Sequence, residues 1–184
     1  WIVSIVVAVA LVLLIVNFVA KPYTVKGDSM DPTLKDGERV IVNLFSKNLS
    51  GIEKGNVVVF HATKENDYVK RVIGTEGDNV EYKKDELYVN GKKVDEPYLD
   101  YNKKHKQYNY ITGSFETKDI NQVDEKNKIP KGKLLVLGDN REVSKDSRSF
   151  GLIDEDQIVG KVSFSFWPLN EMKFGFNPDT DYGK

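Results

Sequence analysis

A serine stands between an aspartate and a methionine in KGDSMDPTLKDGE, residues 26–38. Asp, Ser and Pro are ordinary turn residues, but a methionine has no such reason to be there. Ser29 is therefore a candidate nucleophile. A serine hydroxyl is weak at its own pKa and needs a base within reach. Histidine is the usual base, and the chain has only His61 and His105, neither inside a supporting motif. A lysine can take that role if its amine is neutral, which requires lowering a pKa that normally lies near 10.4. Burial among apolar groups does this. DYVKRVIG, residues 67–74, offers such a lysine. In a strand Lys70 shares a face with Tyr68 and Val72, while Arg71 points the other way with Val69 and Ile73. Taken alone, a lysine on the solvated face of an edge strand is the commoner arrangement.

Other serine chemistries fail on their partners. Gly27-Asp28-Ser29 could open a GDSL-type signature, but that needs a catalytic Asp and His near the C-terminus on an α/β scaffold, and the last histidine is His105. The nucleophile elbow G-x-S-x-G fails because Asp31 occupies the place of the second glycine. No serine has a lysine three residues later, so a Ser-x-x-Lys dyad is excluded.

The elements that must position these residues read mainly as strands. YTVKG, RVIVNLF, NVVVFHA, DYVKRVIG and DNVEYKKDELYVNGKKV are short β-branched or aromatic runs cut by Gly, Asn and Asp. Asn90-Gly91 between strand-like flanks predicts a type I′ hairpin. From about Pro97 to Lys133 a stretch rich in Lys, Asn, Asp and Tyr reads as an exposed insertion with some strand. GKLLVLGDN is an apolar strand entering a polar loop, and QIVGKVSFSFWPL supplies one or two more strands. At the front, WIVSIVVAVALVLLIVNFVA is interrupted only by Ser4 and Asn17. That length suits a membrane-spanning helix of about 20 residues. It exceeds the apolar region of a cleavable leader, and Phe18 stands where a small residue should precede Ala20. The chain starts at Trp1 without methionine, so a preceding piece is expected, and orientation is not decided by flanking charge.

Composition narrows the chemistry further. The chain has 184 residues, net charge −1 and no cysteine. Disulfides, thiolate nucleophiles and Cys-ligated zinc are excluded, and two histidines leave little for a His-rich metal site. No basic excess argues for nucleic acid. The loop GDNREVSKDSRSFG is not a calcium loop, because Arg141 falls where an oxygen ligand is needed.

GDSMDPTL, GNVVVF, YVKRVIGTEGD and GDNREVSKDSRSFG occur in this order behind the apolar run. Together they resemble the bacterial type I signal peptidases of Gram-positive type, membrane-bound serine proteases with a Ser-Lys dyad. The resemblance implies a mainly β fold: one transmembrane helix over 1–20, a catalytic β core over 21–78 and 132–184, and an inserted subdomain over 79–131. It implies Ser29 as nucleophile, Lys70 as general base, and Ser144 as the hydroxyl that orients the lysine. It places the Ser29 backbone amide in the oxyanion hole. Where many relatives have a serine or threonine there is Gly27, so the second donor is either the glycine backbone or absent. Tyr23, Val25, Met30, Leu34, Tyr68 and Val69 would line narrow substrate pockets. Asp146 and Arg148 would form a structural ion pair beside the site, with Arg71, Asp139 and Arg141 nearby. Asn56 replaces the usual aspartate before the VVVF strand. The implied partners are secretory preproteins and the lipid bilayer, with no nucleic acid, metal or organic cofactor, and the implied location is the extracytoplasmic face of the cell membrane. Two other functions fit less of the chain. A self-cleaving Ser-Lys repressor would lack the anchor, and a non-catalytic tethered β-domain that binds surface partners would make the Ser and Lys boxes coincidence.

Overall fold

A computed structural model of the chain describes residues 1–45, 51–123, 126–176 and 182, with side chains left undescribed at 14–18. The apolar run forms α1 (Ile2–Phe18), 17 residues or about 25 Å of helix. Among the described residues no helix is long and apolar enough to cross a membrane. The expected span of 1–20 is shortened at its end because Ala20 already belongs to β1 (Ala20–Thr24). Pro22 could not continue a helix, and it is tolerated here because β1 is an edge strand.

The main sheet adds β2 (Arg39–Asn43), β3 (Val57–His61) and β4 (Asp67–Gly74). Further along the chain β9 (Lys133–Leu137), β10 (Ile153–Asp154), β11 (Ile158–Trp167) and β12 (Lys173–Phe174) complete it. The order is β1-β2-β11-β3-β4-β9-β10, with β12 also on β11, and every pairing is antiparallel. β5 (Val80–Lys83), β6 (Glu86–Val89), β7 (Lys92–Val94) and β8 (Phe115–Glu116) form a second sheet, ordered β7-β6-β5-β8. Asn90 and Gly91 join β6 to β7 with φ of 52° and 79°, the two positive values a type I′ turn demands. Two short helices lie near the site, α2 (Asp100–Lys104) and α3 (Ser147–Phe150). The mainly β reading of the sequence holds, and QIVGKVSFSFWPL is one long strand, bulged where it meets β2 and β3.

The alternation in β4 assigns its side chains to different cores. Val57, Val59 and, half-buried, Val69 pack with Val25, Met30, Leu34, Val40 and Val42. On the other face Val58, Phe60 and Val72 pack with Leu134, Val136 and Ile153, with half-buried Tyr68 and Phe150 against them. Past Arg71, β4 passes into the second sheet's core, where Ile73, Leu135 and Leu137 meet Val80, Tyr82, Leu87 and Ile129. Gly74 permits that closure: a Cβ there would lie 2.6 Å from Ile129 and 2.7 Å from Val80. The two sheets therefore share one apolar cluster, and the Ile73–Gly74 end of β4 is packed between them.

Candidate active site

β4 pairs with β9 only from Arg71 onward, through Arg71↔Leu137. Residues 67–70 therefore present an unpaired edge, opposite the segment that follows β1. Between them runs a cleft of about 840 Å³, lined by Pro22–Lys26 on one wall and Lys64–Lys70 on the other, with Asp28, Ser29 and Met30 at its floor. Lys70 is 3% exposed, and across the sheet it faces Val58. Lys70 Nζ lies 2.7 Å from Ser29 Oγ and 3.0 Å from Val69 O. It also sits 5.3 Å from the centre of the Tyr68 ring. Burial lowers its pKa to about 8, against a weaker upward pull from Asp146 and Asp139. A neutral amine is thus accessible in mildly alkaline water, and it can accept the Ser29 proton.

Ser29 sits in a tight loop. Leu34 N–H donates to Met30 O at 3.0 Å, and Asp31 N–H donates to Asp28 O at 3.1 Å. Met30 is buried beside Val25 and Val59, which explains its place after Ser29: it roots the loop in the core. Tyr23, Val25, Met30, Tyr68 and Val69 line the cleft as expected. Leu34 does not. The turn folds it beneath Met30, where it is fully buried in the core and leaves no surface for substrate.

The Gly27 backbone, one of the two alternatives for the second oxyanion donor, is engaged elsewhere. Gly27 N–H donates to Asp36 Oδ1 at 2.7 Å, which turns it away from the cleft. Its φ of 79° is the reason glycine stands there. Ser144 Oγ is buried and makes no hydrogen bond among the described residues, so the expected bond to Lys70 is not formed. It lies against Gly138, where a Cβ would collide with both Ser144 Oγ and Ser29 O. Only glycine lets the loop after β9 come this close to the nucleophile.

The charged loop is mostly interior. Asp139 pairs with Arg71 rather than with Arg141: Arg71 Nε and Nη2 donate to its two oxygens at 2.9 and 2.7 Å. Arg71 also donates to Gly55 O and Phe176 O, at 2.8 and 2.6 Å, and lies 3.8 Å from the Tyr98 ring centre. Arg141 donates to Glu96 Oε1 at 2.7 Å and to Gly138 O at 2.8 Å. Arg148 and Asp146 form the expected pair, at 2.9 and 2.8 Å. Burial would raise the Asp146 carboxyl, but Arg148 and the Gly138 amide hold it below the usual carboxylate range. Four residues of this frame were not anticipated: Glu96, Asn102, Gly138 and Asn140. Asn102 donates to Asp31 O and Asp139 O, both at 2.9 Å. Asn140 lies inside the quoted GDN run, whereas Glu96 and Asn102 come from the insertion and carry no local signal.

Residues 1–167 match the family described as "Signal peptidase, peptidase S26". The chain is 68% identical over 181 residues to a Staphylococcus aureus protein named signal peptidase IB, covering 98% of this chain and 95% of the relative. It is 48% identical over 170 residues to signal peptidase I of Bacillus caldolyticus, covering 92% of each. The crystal structure of an Enterococcus faecalis signal peptidase I aligns with a TM-score of 0.55 at 32% identity, over 61% of this chain and 97% of that one. The fold and the relatives agree: this chain belongs to the signal peptidase family, peptidase S26.

Proposed function

We propose that this signal peptidase removes signal peptides from exported preproteins through Ser29 and Lys70. The observation that carries the assignment is the 2.7 Å approach of Ser29 Oγ to a buried amine whose pKa is about 8. Neutral Lys70 takes the hydroxyl proton as Oγ attacks the carbonyl carbon of the residue before the cut. The Ser29 amide stabilises the resulting oxyanion. Lys70 then passes its proton to the departing amine, leaving an acyl-enzyme. Lys70 next removes a proton from water, which attacks the ester; the ester bond breaks, Lys70 returns the proton to Ser29 Oγ, and the signal peptide leaves with a new carboxylate. The substrate enters as an added strand between the segments around Val25 and Asp67, where Tyr23, Val25, Met30, Tyr68 and Val69 leave room for small side chains. Ser144, a buried hydroxyl with no partner among the described residues, is available to orient Lys70 once the proton has moved.

Residues 1–20 are read as the membrane anchor, 21–78 with 132–184 as the catalytic core, and 79–131 as the insertion. The helix α1 exposes Ile2, Val3, Ile5, Val6 and Val9 to its surroundings, and Trp167, Leu169, Met172 and Phe174 are exposed around β11 and β12. A hydrocarbon surface would cover them, with the catalytic domain outside the cell where signal peptides emerge. Protease added to intact protoplasts should then digest the domain, and full protection would contradict that orientation. The decisive experiment is incubation of the detergent-solubilised protein with a preprotein. A single cut is expected after the signal peptide, and none with Ser29→Ala, which deletes one hydroxyl and leaves the fold intact. Turnover by a folded Ser29→Ala protein would remove Ser29 from the mechanism.

A further inference from the structure

Asn140, just after β9, grips the nucleophile's backbone at two points. Its own N–H donates to Ser29 O at 3.0 Å. Its side-chain Nδ2 donates to Asp28 O, also at 3.0 Å. The second contact matters because Asp28 C=O and Ser29 N–H are the two ends of one rigid peptide plane. That bond is not among the cis peptides of the chain, so the carbonyl and the N–H point in opposite directions. A donor that fixes where Asp28 O points also fixes where Ser29 N–H points. The first contact pins the following peptide plane, so Ser29 is held from both sides by one residue.

Gly27 gives this arrangement its weight. With its N–H committed to Asp36 at 2.7 Å, the Ser29 amide is the backbone donor left at the nucleophile. Oxyanion donors act only when aimed at the position the oxygen will occupy, and removing one costs about 10²–10³ in turnover. Asp28 O also accepts from Asp31 N–H at 3.1 Å, so the turn itself survives without the Asn140 side chain. The asparagine is only half-buried, and its replacement opens no core cavity.

We infer that Asn140 is a positioning residue, which aims the Ser29 amide at the developing oxyanion by holding the Asp28 carbonyl and does not touch substrate. This rests on the reading of Ser29 as nucleophile. Asn140→Ala removes the side-chain donor, and Asn140→Asp keeps its shape while placing a carboxylate against the carbonyl. Both should be compared with the unaltered protein on a fluorogenic peptide spanning a signal-peptide cleavage site. Binding is measured for two further peptides that end at the cut, one as the aldehyde and one as the corresponding alcohol. Ser29 Oγ adds to the aldehyde carbon and creates an oxyanion-like oxygen in the hole, whereas the alcohol binds without reacting.

The expected result is a fall in kcat of roughly 10- to 100-fold with KM within about twofold, larger for Asn140→Asp. Aldehyde affinity should fall by the same factor as kcat/KM, alcohol affinity should stay unchanged, and the pH midpoint of the ascending limb should not move. Unaltered kcat would overturn the inference. So would an equal loss of alcohol affinity, which would make Asn140 part of substrate binding, or a moved pH midpoint, which would make it act through Lys70. If the unaltered protein itself neither cleaves the peptide nor binds the aldehyde better than the alcohol, it is the assignment of Ser29 that falls.

Discussion

Lys70 and Arg71 are neighbours in β4, both buried, at 3% and 0% exposure, and they point to opposite faces of one strand. Their charges meet opposite fates. Around Arg71 the carboxylate of Asp139 is aligned on the guanidinium fork, with Gly55 O and Phe176 O on the remaining nitrogen. Burial disfavours that cation, yet Asp139, helped by Tyr98 and Tyr182, more than offsets it and the pKa rises. Around Lys70 the two hydrogen-bond partners are a hydroxyl and a carbonyl, both neutral. Burial prevails there and brings the amine to about 8, since Asp146 and Asp139 offset only part of it. A single well-placed carboxylate separates a fixed structural cation from a base that can give up its proton. The pleat of the strand keeps the two environments apart.

The largest expected effect comes from giving Lys70 the chemistry of its neighbour. Lys70→Arg keeps the positive charge but cannot deprotonate, because a guanidinium holds its proton beyond pH 12. Cleavage of a preprotein should fall by on the order of 10⁴ or more, with the protein still folded by circular dichroism. An active Lys70→Arg enzyme would show that proton abstraction is done elsewhere. The converse change is smaller and appears in stability. Arg71→Met leaves the Asp139 carboxylate buried without its partner, which costs about 3–5 kcal/mol. Replacing both partners, as Arg71→Met with Asp139→Asn, should recover much of that loss in urea unfolding. If the single variant unfolds within about 1 kcal/mol of the unaltered protein, the pair does not differ from Lys70 in the way described.

These environments were legible in the sequence to different degrees. The alternation of DYVKRVIG was enough to put Lys70 and Arg71 on opposite faces with apolar neighbours, because a strand's period of two is a local property. Asn90-Gly91 announced its turn for the same reason. What Arg71 would pair with was not local. Asp139 lies 68 residues further on, and Glu96, the partner of Arg141, comes from the insertion. Apart from Asp146–Arg148, the ion pairs of GDNREVSKDSRSFG could not be assigned from the loop, since only tertiary closure selects among several arginines and carboxylates of equal chemistry. The arrangements at Gly27 and Leu34 have a similar origin. Asp36, nine residues on, folds back to take the Gly27 amide, and the Met30–Leu34 turn sends Leu34 into the core. Ser144 lies across Gly138 from Ser29, but its hydroxyl direction depends on contacts the motif does not encode.

The last prediction reverses the sign of the Arg71 result. Replacing Lys70 by methionine removes a cation that the fold holds unwillingly. The folded pKa of about 8 lies below the ordinary lysine value of 10.5, so between these values the unfolded chain binds a proton that the folded protein does not. Stability therefore rises with pH across that window and is flat from this group outside it. Below about pH 8 the folded protein carries the full penalty of a buried ammonium, roughly 3 kcal/mol for such a shift. Lys70→Met escapes it while losing two neutral hydrogen bonds of about 1 kcal/mol each. It should be more stable than the unaltered protein at pH 7 by about 1 kcal/mol, and that advantage should shrink and invert as pH rises from 8 toward 10.5. Tyr82, Tyr98 and Tyr182 complicate each curve alone. Burial raises their pKa values, so both proteins lose stability as the unfolded chains ionise above pH 10. Taking the difference between the two proteins cancels that loss. Urea midpoints read at pH 7, 8, 9 and 10 measure it directly. A difference that stays constant over this range would mean that Lys70 keeps its proton in the folded state, as Arg71 does, and the contrast between the two faces of β4 would be lost.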